Sequence, residues 1–386
     1  MANQLIENLK QLPFETRVKS ELKGLFVGGV GREKLKWKEE AEVSPFDTTF
    51  HSPLTQLWFL YYYAGGFNMP KVKKEKSTFT GKTISTPFPD SYTPYSAQVE
   101  TDGQPSDILN LVLSDQVAIE SGQSVQIEDK IHTAKRIMLA GCISPSSAAS
   151  LIDKLQKYGF NGELDIYDLS SAPLKIIEAY KKAGFWKNIT IITRQRDLFG
   201  LSLGIDKAFN PSKKEERDYD LIFADVLDHY LTDKQMERLP VFWSALAEKG
   251  MILLRDMAEY GQVEDNEKKA LRKTDQKFDQ AEIEFNQWVN KEFGFEITFE
   301  EIQQMRANMY SKQPPHEFRQ LYLSQWLDYL FTGTGANMQL LYRGLTVPST
   351  GDDSRIFPIF VFQKTEEEQR YFFEKNSNHT SIALSV

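Results

Sequence analysis

The chain has 386 residues, with 46 basic against 54 acidic side chains, a net charge of −8, and 41% hydrophobic residues. At about 100 to 200 residues per domain, this length serves two domains or one large core with insertions, and it excludes a mini-protein held by staples. The acidic balance argues against a dedicated nucleic-acid binder, whose phosphate contacts need a basic surplus, and favours small-molecule or protein partners.

From the amino terminus, Leu5, Leu9, Leu12, Val18, Leu22, Leu25 and Phe26 recur near a 3.6-residue period, which predicts two or more helices. Gly28-Gly29-Val30-Gly31 follows this helical spacing and reads as a turn, since a nucleotide loop would follow a strand. The apolar run from Pro53 to Ala64 is too short for the roughly 20 residues of a membrane span and predicts a buried aromatic helix. Beyond it the lysine cluster at 71–76 reads as a solvated face, with phosphate binding as the rival reading, and Ser77 to Tyr95 reads as loop. Met1 to Gln11 carries charges inside its apolar run and does not resemble a secretory signal.

Near Ala134 the texture becomes a regular alternation. Arg136–Ala140 predicts a buried strand and Ser146–Tyr158 a helix ending at Gly159. Glu163–Asp168 and the helix Leu174–Ala183, stopping at Gly184, repeat the unit. Strands follow at Ile189–Thr193 and Tyr219–Ala224, then a helix from about Asp233 to Ala247, and a fifth strand at Met251–Leu254 after Gly250. Strands alternating with helices imply a mostly parallel sheet covered on both faces. A charged, helix-rich stretch from 259 to about 332, with aromatic positions such as Phe278, Phe285, Trp288 and Phe295, interrupts the pattern. It resumes as a terminal hairpin, Asn337–Arg343 with Phe357–Gln363, before a polar tail. The divisions expected are 1–134, a helical and loop region; 135–258, the α/β core; 259–332, a helical insertion or lid; 333–364, the terminal strands; and 365–386, the tail.

In an open parallel sheet, ligands bind at the carboxyl ends of the strands, where the winding reverses. The first strand ends in Gly141-Cys142-Ile143-Ser144-Pro145-Ser146, where a glycine permits close backbone approach and serines precede a helix N-terminus. The second ends in Asp168, whose carboxylate suits the two hydroxyls of a ribose, with capping of the next helix as the alternative in competition with Ser170 and Ser171. After the third, Asp197 beside Leu198 offers an acceptor and an apolar face for an adenine, with a plain surface loop as the rival reading. The fourth ends in Asp225-Val226-Leu227-Asp228-His229.

The run YDLIFADVLDHYLTDKQMERLPVFWSALAEKGMILLRD, from Tyr219 to Asp256, resembles a stretch of class I S-adenosylmethionine-dependent methyltransferases. In that family an acidic strand leads to a Leu-His-His-Leu-like turn, a helix, a glycine and a further strand. With the Gly141 turn, the acid at Asp168 and the closing hairpin, the resemblance covers about 134–257 and 337–364. It implies a Rossmann-like methyltransferase sheet, mostly parallel with a terminal antiparallel hairpin, and S-adenosyl-L-methionine as cofactor. It further implies that Gly141, Cys142, Ser144 and Ser146 meet the methionine part of the cofactor, that Asp168 with Leu169 holds the ribose, that Asp197 and Leu198 flank the adenine, and that Asp225 and Val226 border the methyl-transfer centre. The family's Gly-x-Gly-x-Gly turn is depleted here, and a Cβ at Ile143 crowds the cofactor's space.

Methyl transfer needs alignment and removal of a proton, so His229 is the first candidate base, with Asp225 and Asp228 as rivals. The remaining histidines, His51, His132, His316 and His379, have no paired metal-ligand spacing, and no metal is expected. The single cysteine, Cys142, leaves no intramolecular disulfide, which fits a reducing cytoplasm. The acceptor expected is a small molecule, of specialised metabolism for example, or a short peptide, with neither nucleic acid nor membrane as partner. Two rivals stand beside this reading. A nicotinamide-dependent oxidoreductase would carry G-x-G-x-x-G in the first turn and lack the antiparallel hairpin, whereas a non-catalytic methyltransferase-like interaction module would account for the depleted turn.

Overall fold

The computed structural model describes residues 26–27, 36–37, 54–58, 96–100, 108–113, 120, 122–142, 145–198, 208–225, 240–256, 258–259, 280–294, 296–303, 321–322, 338–348, 355–365, 372–376 and 379–383. The Gly28–Gly31 turn, the lysine cluster, the loop from Ser77 to Tyr95, Phe278 and Phe295 lie outside them.

Phe26–Val27 pairs antiparallel with Lys36–Trp37, so Phe26, the last residue of the helical spacing, lies in a strand, and residues 54–58 form the described part of the aromatic helix. Then come β1 (Ser96–Glu100), α1 (Ile108–Leu113), α2 (Gln123–Thr133), β2 (Arg136–Ala140), α3 (Pro145–Lys157), β3 (Glu163–Asp168), α4 (Ser171–Lys182) and β4 (Thr190–Gln195). They are followed by β5 (Tyr219–Asp225), α5 (Pro240–Ala245), β6 (Leu246–Arg255), β7 (Ala258–Glu259), α6 (Gln280–Phe293), β8 (Leu321–Tyr322), β9 (Met338–Pro348), β10 (Arg355–Lys364), β11 (Phe372–Asn376) and β12 (His379–Ala383).

Among the described residues the main sheet has ten strands, bonded in the order β8-β7-β10-β6-β5-β2-β3-β4, with β9 on β10 and β1 on β9. The pairs β3/β4 and β5/β6 are parallel, and β10 runs antiparallel to both β6 and β9. The chain moves outward from β2 to β3 and β4 on one side and to β5 and β6 on the other, so the winding reverses at β2. This is an α/β, Rossmann-like sheet, mostly parallel and closed by an antiparallel hairpin. Its strands are near-continuous apolar runs because both faces are covered. Ile137, Met138, Ile166, Tyr167, Leu221, Phe223, Leu253 and Val361 are all buried.

The chain falls into two compact, discontinuous units. The first comprises Met1–Pro70, Leu139–Ala208 and Glu264–Phe318, and the second Lys71–Met138, Phe209–Val263 and Arg319–Val386. In the first, α4 opens at Ser170, whose hydroxyl accepts from Ala172 N at 3.2 Å, and Pro173 is tolerated in the first turn. It closes at Gly184, φ 95°, with Gly184 N donating to Lys181 O and Phe185 N to Tyr180 O, so the left-handed glycine satisfies the last carbonyls. Trp58 meets Phe285 edge to face at 4.9 Å, and Phe285 stacks on Trp288 at 6.1 Å, which ties the aromatic helix to α6. Asn286 fixes the chain after α6 by exchanging two hydrogen bonds with the Ile297 backbone.

In the second unit the helix expected to run through Ala247 ends at Ala245. Leu246 is taken instead into the ladder opposite Tyr219, while Lys364 Nζ satisfies helix-end carbonyls by donating to Leu246 O at 2.9 Å and Trp243 O at 3.3 Å. The register then shifts between Tyr219 and Leu221. At this irregularity a Cβ on Gly250 would lie 2.9 Å from both Ala247 O and Tyr219 O, closer than a side chain tolerates. Two features carry no signal in the sequence pattern. Strand β1, inside the stretch read as helix and loop, adds in parallel to β9, Ser96 opposite Gly344. Within the polar tail β11 pairs antiparallel with β12, with Asn376 opposite His379.

Candidate functional site

The switch strand β2 delivers the chain to Gly141, whose φ of 84° lies in the left-handed region that favours glycine, and its N–H donates to Tyr167 O of β3 at 2.9 Å. Next to it, Cys142 N–H donates to Asp168 Oδ2 at 2.6 Å, and Ser170 N–H donates to Asp168 Oδ1 at 2.7 Å. One carboxylate at the end of β3 therefore clasps the turn after β2. Asp168 does not cap α4, since Ser170 does that. Burial pushes the Asp168 carboxyl up to about 6, against the opposing pull of the Ser170, Cys142 and Leu169 N–H groups. Burial and the neighbouring Asp168 charge push the Cys142 thiol well above its usual range, so it is not a reactive thiolate.

Around this clasp, Leu169 O accepts from Gln195 Nε2 at 3.0 Å, and Arg196 N donates to Asp168 O at 2.9 Å, joining the ends of β3 and β4. Asp197 and Leu198 are both buried just beyond β4, with Asp197 bridged to Ala208. The structure thus brings Gly141, Cys142, Asp168, Leu169, Asp197 and Leu198 together in one unit. Ser146 lies in the first turn of α3. Ser144, Val226, Asp228 and His229 lie outside the described residues.

As a seat for a ribose diol, the donor set fits. Oδ2 accepts from Cys142 N–H and Oδ1 from Ser170 N–H, with Leu169 N–H also drawn to the carboxylate, so of its roughly four lone-pair sites part of the capacity remains for a hydroxyl. Ser171 Oγ, in the first turn of α4, is buried and has no hydrogen-bond partner. In the sequence Ser171 competes with Ser170 as a cap, and only the burial of its hydroxyl without a partner distinguishes it.

In the other unit, Asp225 forms a two-pronged ion pair with Arg255, Nε to Oδ1 at 2.6 Å and Nη2 to Oδ2 at 2.8 Å. Arg255 was missed in the sequence, although its place at the end of the strand beside β5 was a usable signal. Among the described residues no cluster of His, Cys, Asp and Glu is suited to a metal ion, and no helix is long and apolar enough to cross a membrane.

No family model and no curated protein matches the chain by sequence. Among solved structures it is similar to the MccD protein (8% identity over 60% of this chain and 90% of that one, TM-score 0.34). It is also similar to the [4+2]-cyclase SpnF (7%, 63% and 81%, TM-score 0.34) and to PigF with SAH (13%, 68% and 64%, TM-score 0.33). All three scores lie below 0.5, and the fold assignment rests on the chain's own strand order and hairpin.

Proposed function

We propose that the chain is an S-adenosylmethionine-dependent methyltransferase acting on a small-molecule or short-peptide acceptor. The observation that carries this reading is the Asp168 carboxylate, which links the glycine turn after the switch strand to the end of β3 and keeps acceptor capacity for a diol. The antiparallel β9/β10 hairpin favours this reading over a nicotinamide-dependent oxidoreductase.

When bound, the cofactor supplies a methyl group on a sulfonium whose positive charge disappears as the methyl leaves. Asp168 with Leu169 holds the ribose. Gly141, Cys142, Ser144 and Ser146 border the methionine part, and Asp197 and Leu198 receive the adenine. The resemblance seen in the sequence assigns Asp225 and Val226 to the methyl-transfer centre. His229 takes the acceptor's proton, with Asp228 as the nearest rival and Asp225 less suited because its carboxylate is engaged by Arg255. The aromatic contacts of Trp58, Phe285 and Trp288 supply the apolar wall that an acceptor needs. An acidic chain with one cysteine suits a reducing cytoplasm and an acceptor other than nucleic acid.

Calorimetric titration of the full chain with S-adenosylhomocysteine tests the proposal. Saturable one-to-one binding, weakened about 10- to 150-fold in Asp168→Ala, is expected, on the scale of a charge-assisted hydrogen bond. Absence of binding would leave the non-catalytic module as the better reading.

A further inference from the structure

Past the end of β3, Arg196 N–H donates to Asp168 O, and the next peptide group, made of Leu169 C=O and Ser170 N–H, lies beyond the β3/β4 ladder. That peptide is nevertheless held at both ends. Gln195, opposite Asp168 in the parallel register, donates from Nε2 to Leu169 O at 3.0 Å, and Ser170 N–H donates to Asp168 Oδ1 at 2.7 Å. Only the nitrogen end of a carboxamide can serve a carbonyl, so the relay runs from Gln195 through the peptide to the carboxylate.

We propose, resting on the reading above in which Asp168 holds the ribose, that Gln195 is a positioning residue that aims the Asp168 carboxylate through the Leu169–Ser170 peptide. Rotation of a carboxylate about its last bond is soft, so the rotamer alone does not direct its oxygens. Two N–H groups do so, Cys142 on Oδ2 from the turn after β2 and Ser170 on Oδ1. Of the N–H groups that oppose the effect of burial on this carboxyl, that of Ser170 acts most strongly. Hydrogen bonds in a chain polarise one another, so donation to Leu169 O strengthens Ser170 N–H as a donor and keeps the peptide from turning away. The titratable groups beside Asp168 in chain and register are otherwise accounted for. Burial keeps the Cys142 thiol neutral, and Arg196 and Asp197 follow Gln195 beyond β4. Arg194 is paired with Asp165 on the opposite face of the strands. On α4, Glu178 accepts from Thr193 and Lys181 donates to Ile191 O, and on α3 Asp153 accepts from Trp186. A neutral substitution at 195 leaves all of these charges unchanged, so a shift at Asp168 reports the relay.

The test combines two measurements on the full chain: titration of the Asp168 carboxyl carbon by NMR without ligand, its signal assigned by its loss in Asp168→Ala, and S-adenosylhomocysteine affinity by calorimetry. Gln195→Met, similar in size but without a donor, should raise the titration midpoint by about half a pH unit or more, since one N–H bond lowers a carboxylate by roughly one unit. It should also weaken affinity at pH 7.5 about 2- to 12-fold, the scale of one hydrogen bond. In the Asp168→Ala background the same substitution should change affinity by less than about twofold, because its effect passes through the carboxylate. Should Gln195→Met fail to fold, Gln195→Asn, whose carboxamide is one methylene short of Leu169 O, should move the midpoint in the same direction. An unchanged midpoint in a folded variant, or an equal loss of affinity with and without Asp168, makes Gln195 purely structural and overturns the proposal, even with a lowered melting temperature. A parent chain that does not bind S-adenosylhomocysteine, or binds it no better than Asp168→Ala does, refutes the ribose reading itself, and this inference falls with it.

Discussion

Asp168 should make ligand affinity and fold stability depend on pH in opposite directions. Its carboxyl is raised from an ordinary 3.8 to about 6 by burial. At about 1.36 kcal/mol per pH unit, ionising it in the fold costs about 3 kcal/mol. Because the folded value lies above the unfolded one, the folded chain holds the extra proton between the two. This contribution to stability is fully present below pH 3.8 and is lost as the pH rises through 6. Ligand binding runs the other way, since ribose hydroxyls donate to the ionised form. S-adenosylhomocysteine affinity should be level above pH 7 and about tenfold weaker at pH 5, where about nine-tenths of the unliganded carboxyl is protonated. Asp153, which accepts from Trp186 Nε1 at 2.7 Å and is also raised to about 6, shares the stability window. Asp168→Asn separates the two: its affinity should be weaker at pH 7.5 and flat to pH 5, and about 3 kcal/mol of the stability slope between pH 4 and 6 should disappear. The assays are calorimetric titration and urea unfolding across pH on both proteins. A parent affinity that is flat with pH, or an Asn variant that keeps the parent's slope, would refute the reasoning.

Three further outcomes are expected. Gly141→Ala should lose about 1–2 kcal/mol of stability in urea unfolding, because φ 84° strains any Cβ, and should weaken S-adenosylhomocysteine binding with it. Phe285→Ala should cost about 3–5 kcal/mol, since the ring is fully buried between Trp58 and Trp288; the milder Phe285→Leu should fold and show its effect on acceptor KM if these aromatics form the acceptor wall. His229→Asn should lower the maximal rate about 100-fold with S-adenosylhomocysteine affinity intact, whereas a near-normal rate with a lowered melting temperature would make His229 structural.

The alternating region was legible because its physics is local. The apolar runs at Arg136–Ala140 and Glu163–Asp168 match their strands to the residue, and glycine stops at Gly159 and Gly184 mark the helix ends. What could not be read depends on distant partners. Leu246 leaves the helical pattern only because Tyr219 and Lys364, remote in sequence, hold its backbone. Strand β1 exists as a strand through β9, nearly 250 residues on. The same holds at the site: the position of Asp168 at a strand end was visible, but its clasp on Cys142 N–H, the orphaned Ser171 hydroxyl and the Arg255 fork on Asp225 arise from pairing between strands. Sequence periodicity places residues on a strand and says little about which residue of the next strand will answer them.

The central claim, that the turn after β2 and the carboxylate ending β3 form a cofactor seat, is tested most directly by an experimental structure of the full chain with S-adenosylhomocysteine. The account predicts both ribose hydroxyls on Asp168, with the adenine beside Leu198 and Asp197. A ligand bound elsewhere, or one seated at the turn with its ribose away from Asp168, would contradict it.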